Sequence, residues 1–157
     1  MKLILTSLIS LTIGFNCLAQ SYNTKSTHAL KNETATTIQS GYDAYKKIAL
    51  NIWDYAELGY KEKKSSALLQ QTLKDNGFTV EAGVAGMPTA FVATYGSGSP
   101  VIGILAEYDA LPGLSQDNSS TKTTIANKPN GHGCGHHLFG TGSVAAGIAL
   151  QKLLESG

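Results

Sequence analysis

The run Val101-Ile102-Gly103-Ile104-Leu105-Ala106 carries no polar side chain. A half-buried strand alternates polar and apolar residues, whereas a run apolar at every position has no face to turn to water. It is therefore predicted to be a central strand, buried on both faces. Glu107-Tyr108-Asp109-Ala110-Leu111-Pro112-Gly113 follows directly. Carboxylates at the C-terminal end of a buried strand stand where open α/β folds place their chemistry.

The flanking pattern supplies the layers such a strand needs. Ile38, Tyr42, Tyr45, Ile48, Ala49, Ile52 and Trp53 recur at steps of three and four, which predicts one amphipathic helix that Gly59 ends. A second helix is expected from Glu62 to Lys74, with Ala67, Leu68 and Leu73 near its buried side and Asn76-Gly77 as its left-handed stop. Phe78–Glu81 and Ala90–Tyr95 read as strands, the latter closed by the turn cluster Gly96-Ser97-Gly98-Ser99-Pro100. A third helix is expected over Leu138–Glu155, with Gly140, Gly142 and Gly147 allowing close approach of its neighbours. The order of helices and strands suits an α/β sandwich.

The N-terminus has a different character. Lys2 precedes the apolar stretch Leu3–Phe15, and Cys17-Leu18-Ala19 sets small residues before a cut at Gln20, the layout of a secretory signal peptide over residues 1–19. The stretch is shorter than the roughly 20 residues of a membrane span, which argues against a retained anchor and for a periplasmic or secreted protein. Acylation at Cys17 is disfavoured by Phe15-Asn16, which lack the small side chains that lipoprotein processing prefers. Residues 20–35 are rich in Ser, Thr, Asn and Lys and read as a flexible leader, leaving 36–157 as the folded part. A net charge of +1 gives no electrostatic case for nucleic acid or an anionic membrane surface.

Removal of residues 1–19 would leave Cys134 as the sole cysteine, so no internal disulfide is expected. Cys134 lies in Gly131-His132-Gly133-Cys134-Gly135-His136-His137. Cys134 and His136, spaced by one glycine, can aim a thiolate and an imidazole at one point, and both suit zinc or its neighbours in the first transition row. The glycines at 131, 133 and 135 leave room for an ion and permit unusual backbone angles. Asp109 and Glu107 are the next candidates, either as ligands or as acceptors that orient a ligating imidazole. His132 and His137 are as suited to such a supporting hydrogen bond as to ligation. Trp53 and the tyrosines of the first helix are expected in the core.

The run Ala106–Pro112, followed by Gly131-His132-Gly133-Cys134-Gly135-His136, resembles the co-catalytic metallopeptidases and amidohydrolases of the aminoacylase, carboxypeptidase and hippurate hydrolase type, nearest their aminobenzoyl-glutamate hydrolase branch. Glu57-Leu58-Gly59-Tyr60 with Glu62, and Leu73 through Gly77-Phe78, fit the same pattern, so the resemblance covers about Ile38 to Gly157. It implies a zinc-exopeptidase-like catalytic domain, a three-layer α/β/α sandwich on a mixed sheet. It implies two divalent ions (Zn, Mn or Co), with Cys134 and His136 as metal ligands and Asp109 as the catalytic-site carboxylate beside them. The implied reaction is hydrolysis of the amide bond of an N-acyl amino acid, an aminobenzoyl-glutamate-like compound or a dipeptide, by a homo-oligomer when full length. His137 stands where the family commonly has Asp or Asn. The family's Glu-Glu pair, which supplies the general base and a ligand, and its further histidines come later than any residue here. The expectation is thus an N-terminal portion whose base and remaining ligands lie beyond Gly157, inactive by itself. The competing readings are a non-catalytic metal-binding envelope protein and a truncated chain that binds nothing.

Overall fold

The computed structural model describes residues 26–156, so the signal peptide expected over 1–19 lies outside the described residues. Four helices and two strands follow in the order α1 (Thr27–Ser40), α2 (Tyr42–Tyr55), α3 (Lys63–Asp75), β1 (Thr79–Ala82), β2 (Phe91–Thr94) and α4 (His136–Ser156). The described residues are thus mixed α/β with one two-stranded antiparallel sheet.

Two expectations about the N-terminal half are corrected. The leader is helical from Thr27, because the Ser26 hydroxyl accepts the Ala29 N–H and caps α1. The single helix through Ile38 and Trp53 is instead two, broken at Gly41. A side chain at Gly41 would meet the Tyr45 ring at 2.5 Å, so glycine there lets the two segments turn closely. Ile38 and Tyr42 consequently stay exposed, while Ile48, Ala49 and Ile52 are buried. The helix also ends earlier than Gly59, at Ala56, which is left-handed (φ 43°, ψ 47°). No glycine marks that position, so nothing local announces the stop.

The core joins Ile48 and Ile52 of α2, Leu69 and Leu73 of α3, and Val144 and Ile148 of α4, with Phe78, Val80 and Phe91 against it. On α3 the buried face is Ser65, Ser66, Leu69 and Leu73 rather than Ala67, which is exposed. The serines are tolerated inside because their hydroxyls have acceptors: Ser66 Oγ donates to the Thr89 carbonyl at 2.7 Å. Gly77 (φ 82°) stops α3 as expected, and the hairpin pairs Thr79 with Thr94 through Ala82 with Phe91.

The run Val101–Ala106 is the main departure. It forms no strand among the described residues, and Val101 and Leu105 are 88% and 72% exposed. A strand apolar on both faces gains from burial only when other strands bond to its edges, and β1 and β2 pair only with each other. Ser143 of α4 still holds this run by donating to the Leu105 carbonyl at 2.6 Å.

The segment just beyond is fixed at both ends. Ala110 forms a parallel bridge with Leu58, its N–H donating to the Glu57 carbonyl at 2.7 Å, and Leu111 forms an antiparallel bridge with Gly131. Glu57 also secures α3, whose N-cap residue Glu62 makes no side-chain cap of its own. The Glu57 carboxylate accepts the Lys64 N–H at 3.0 Å and both the Ser65 N–H and hydroxyl at 2.8 and 2.9 Å. Glu57→Ala leaves those donors unpaired and is expected to cost about 1–2 kcal/mol. Thermal unfolding of the variant against its parent measures it, and an unchanged midpoint would show the cap to be dispensable.

Candidate metal centre

Glu107 and Asp109 lie two apart on an extended segment, so their side chains share a face while Tyr108 points away. Tyr108 stacks on Phe91 at 6.0 Å between ring centroids and gives its hydroxyl to the Thr89 carbonyl. His136 is the first residue of α4, set by Gly135, whose positive φ of 86° turns the chain into the helix and whose carbonyl accepts the Phe139 N–H. Gly140, one turn on, brings α4 against the acidic segment: a side chain there would meet the Glu107 carbonyl oxygen at 2.8 Å.

These placements converge. His136 Nδ1 lies 2.7 Å from Asp109 Oδ1, and His136 Nε2 lies 2.8 Å from Glu107 Oε2. One donor atom from each of the three residues falls within 4.8 Å of the others, an arrangement able to hold a metal ion. The chemistry of the donors fits one. A neutral imidazole has a single N–H, so it satisfies one carboxylate and turns a lone pair toward the other. A cation accepted by that lone pair and by the carboxylate removes the conflict, while the remaining N–H bond fixes the ring orientation. All three side chains keep partial access to solvent, and Glu107 and Asp109 border a cleft that Tyr60, Glu62 and Thr89 also line. Tyr60 is held there at a left-handed φ of 64°.

The other two histidines are buried beside this group. His132 Nε2–H donates to the Ile52 carbonyl at 2.9 Å, and His137 meets Trp53 edge-on at 4.8 Å between centroids. The two imidazoles are 5.0 Å apart, and neither Nδ1 has a hydrogen-bond partner among the described residues. Burial lowers the pKa of both rings; His137 falls to about 4, with His132 adding a smaller push in the same direction. Trp53 thus packs on the histidines instead of entering the aliphatic core.

A depressed histidine pKa has a definite sign for stability. Between the ordinary 6.5 and about 4, the unfolded chain binds the proton that folded His137 refuses, so stability falls as pH drops through that window. The expected loss is on the order of 2 kcal/mol by pH ~4.5. His137→Leu, which cannot titrate, should lose less over the same range. Equal acid sensitivity in thermal melts of parent and variant would remove His137 as the cause.

Of the residues singled out in the sequence, His136 and Asp109 are brought together, and Glu107 joins them on equal terms. Its spacing from Asp109 was the available signal. Cys134 is exposed and does not belong to the group of three. Two of the three glycines serve the backbone rather than an ion. A side chain at Gly131 would lie 1.8 Å from the Leu114 carbonyl oxygen, and one at Gly133 would lie 2.4 Å from Leu114 Cδ1.

No family model matches the chain. Individual proteins do. The chain is 45% identical over 119 residues to a p-aminobenzoyl-glutamate hydrolase of Escherichia coli K12, covering 75% of this chain and 25% of that protein. It is 37% identical over 92 residues to thermostable carboxypeptidase 1 of Saccharolobus solfataricus, 57% of this chain and 23% of the relative. It is 29% identical over 137 residues to the mouse Xaa-Arg dipeptidase, 81% of this chain and 28% of the relative. The chain therefore spans about a quarter of the length of the curated relatives it matches.

Proposed function

Since the chain belongs, over its matched residues, to the metallopeptidase and amidohydrolase family of these hydrolases, we propose that the whole protein hydrolyses an amide bond with the help of divalent metal ions. The substrate class is an N-acyl amino acid, an aminobenzoyl-glutamate-like compound or a dipeptide. The observation that carries the metal dependence is His136 held between two carboxylates by both ring nitrogens.

His136, Asp109 and Glu107 would hold the metal, with Cys134 contributing its thiolate from the turn that leads into His136. A pair of divalent ions there supplies Lewis acidity toward a water molecule and the substrate carbonyl. The residues of this chain bind and orient. Asp109 fixes the His136 ring from Nδ1, and Glu107 carries negative charge to the mouth of the cleft. The bridges at Ala110 and Leu111 hold both carboxylates on one short segment, which limits the reorganisation that binding requires.

The wider setting belongs to the same proposal. The described residues form one flank of a three-layer α/β/α sandwich, and Val101–Ala106 is the strand that its mixed sheet takes up. No described helix is long and apolar enough to cross a membrane. Residues 1–19 would direct export, so a mature protein beginning at Gln20 is expected and a retained Met1 would refute it.

The 157-residue chain is expected to bind Zn²⁺ or Co²⁺ yet turn over neither N-acyl amino acids nor dipeptides. Titration of the chain with each metal, followed by an assay of amide cleavage, tests both halves. Absence of binding would remove the metal centre, and robust turnover would show that the base lies within these residues.

A further inference from the structure

His132 is named by no feature of the proposed reaction, yet it is 2% exposed and its hydrogen bond joins residues 80 apart in the chain. Its Nε2–H reaches the Ile52 carbonyl, the same carbonyl that accepts the Ala56 N–H where α2 ends. Its ring stacks on Trp53 at 6.2 Å between centroids. Its own carbonyl accepts the Gly135 N–H at 3.1 Å, closing the turn His132-Gly133-Cys134-Gly135 one residue before His136. The turn that presents Cys134 and His136 is therefore tied to α2 through one imidazole nitrogen. The other nitrogen has no partner among the described residues, so Nε2 alone carries the polar anchor.

We infer that His132 is a positioning residue: its Nε2–H bond to Ile52 sets where the Cys134–His136 turn sits relative to Glu107 and Asp109. This rests on the metal centre proposed above. It acts through the backbone, since His132 is not among the three residues whose donor atoms converge. The turn has little else to fix it. Gly133 and Cys134 are exposed, and Gly135 adopts a backbone angle that other residues resist.

The inference separates two amide replacements. Glutamine sets its side-chain nitrogen as many bonds from Cα as His132 Nε2, whereas asparagine sets it one bond short, at the position of Nδ1. H132Q should restore the anchor and H132N should not. In Co²⁺ titrations read by visible absorption, H132Q is expected to bind within about 3-fold of the parent and H132N about 10- to 100-fold more weakly. Without metal, nitrogen-detected histidine NMR reads the same difference. The His136 signals should stay at parental positions in H132Q and move toward those of exposed His28 in H132N. Failure of the parent to bind Co²⁺ would overturn the metal centre, leaving the NMR arm to decide the role of His132. Parent-like affinity and His136 signals in H132N would overturn the positioning role. So would an H132Q variant as weak as H132N, an unfolded H132Q, or an H132N that fails to fold while H132Q folds, since His132 would then anchor the fold and not the turn.

Discussion

His136→Ala lowers the affinity of the chain for Zn²⁺ or Co²⁺ by about 100-fold or more. Loss of a group that only supports a ligand already costs 10- to 100-fold, and His136 is the residue on which the site converges. Its removal leaves Glu107 and Asp109 as an all-oxygen pair, a donor set that suits harder cations better than zinc. A fall in zinc affinity with a smaller change for Mg²⁺ or Ca²⁺ is therefore expected. Stability without metal should change little. The contacts of His136 with the two carboxylates are partly exposed, and such pairs contribute on the order of 1 kcal/mol or less. Isothermal titration of folded H136A against the parent decides the matter. A His28→Ala variant, altered in the exposed part of α1, serves as the control. Unchanged zinc affinity in H136A would place the metal elsewhere.

Gly131→Ala is expected to cost at least about 2–3 kcal/mol. The added Cβ would stand 1.8 Å from the Leu114 carbonyl oxygen and 2.8 Å from its carbon, and a backbone carbonyl has no rotamer by which to move aside. Relief requires the Leu111–Gly131 bridge to open, with loss of its two hydrogen bonds at 2.9 and 3.1 Å. That bridge joins the segment of Glu107 and Asp109 to the turn that leads into His136, so metal affinity should fall together with stability. Gly142→Ala is the contrast. Nothing lies within 4 Å of a Cβ there, and α4 gains roughly 0.5–1 kcal/mol from the better helix former. Chemical denaturation of the two variants should move in opposite directions. A G131A variant as stable as its parent would mean that Leu114 and its neighbours yield freely.

The helices that carry the core were legible because their patterns are local. The i, i+4 rows of α2 and α4 and the Asn76-Gly77 stop each depend on residues within a turn or two, and each appears close to where the pattern places it. The break at Gly41 was not legible, because Tyr45 fills the space that a side chain at 41 would need. The early end of α2 was hidden for a related reason, since an alanine takes the left-handed cap that a glycine usually marks.

The candidate site divides in the same way. His136 and Asp109 could be named from residue type and spacing alone, because ligand chemistry resides in single side chains. That Glu107 shares the imidazole, that His132 is spent on Ile52, and that Gly131 and Gly133 make room for Leu114 all depend on residues far apart in the chain.

The same division closes on the apolar run. Its composition marks Val101–Ala106 as a segment that cannot be content in water on either face. Composition says nothing of what will cover it, because burial of a strand is a property of its neighbours, and among the described residues it stands exposed. Residue types and their local spacing were enough to mark the core helices, the side chains able to ligate, and kinship with amide-bond hydrolases. The meeting of Glu107, Asp109 and His136 is a tertiary outcome, since it depends on two backbone bridges and the close pass of α4 at Gly140.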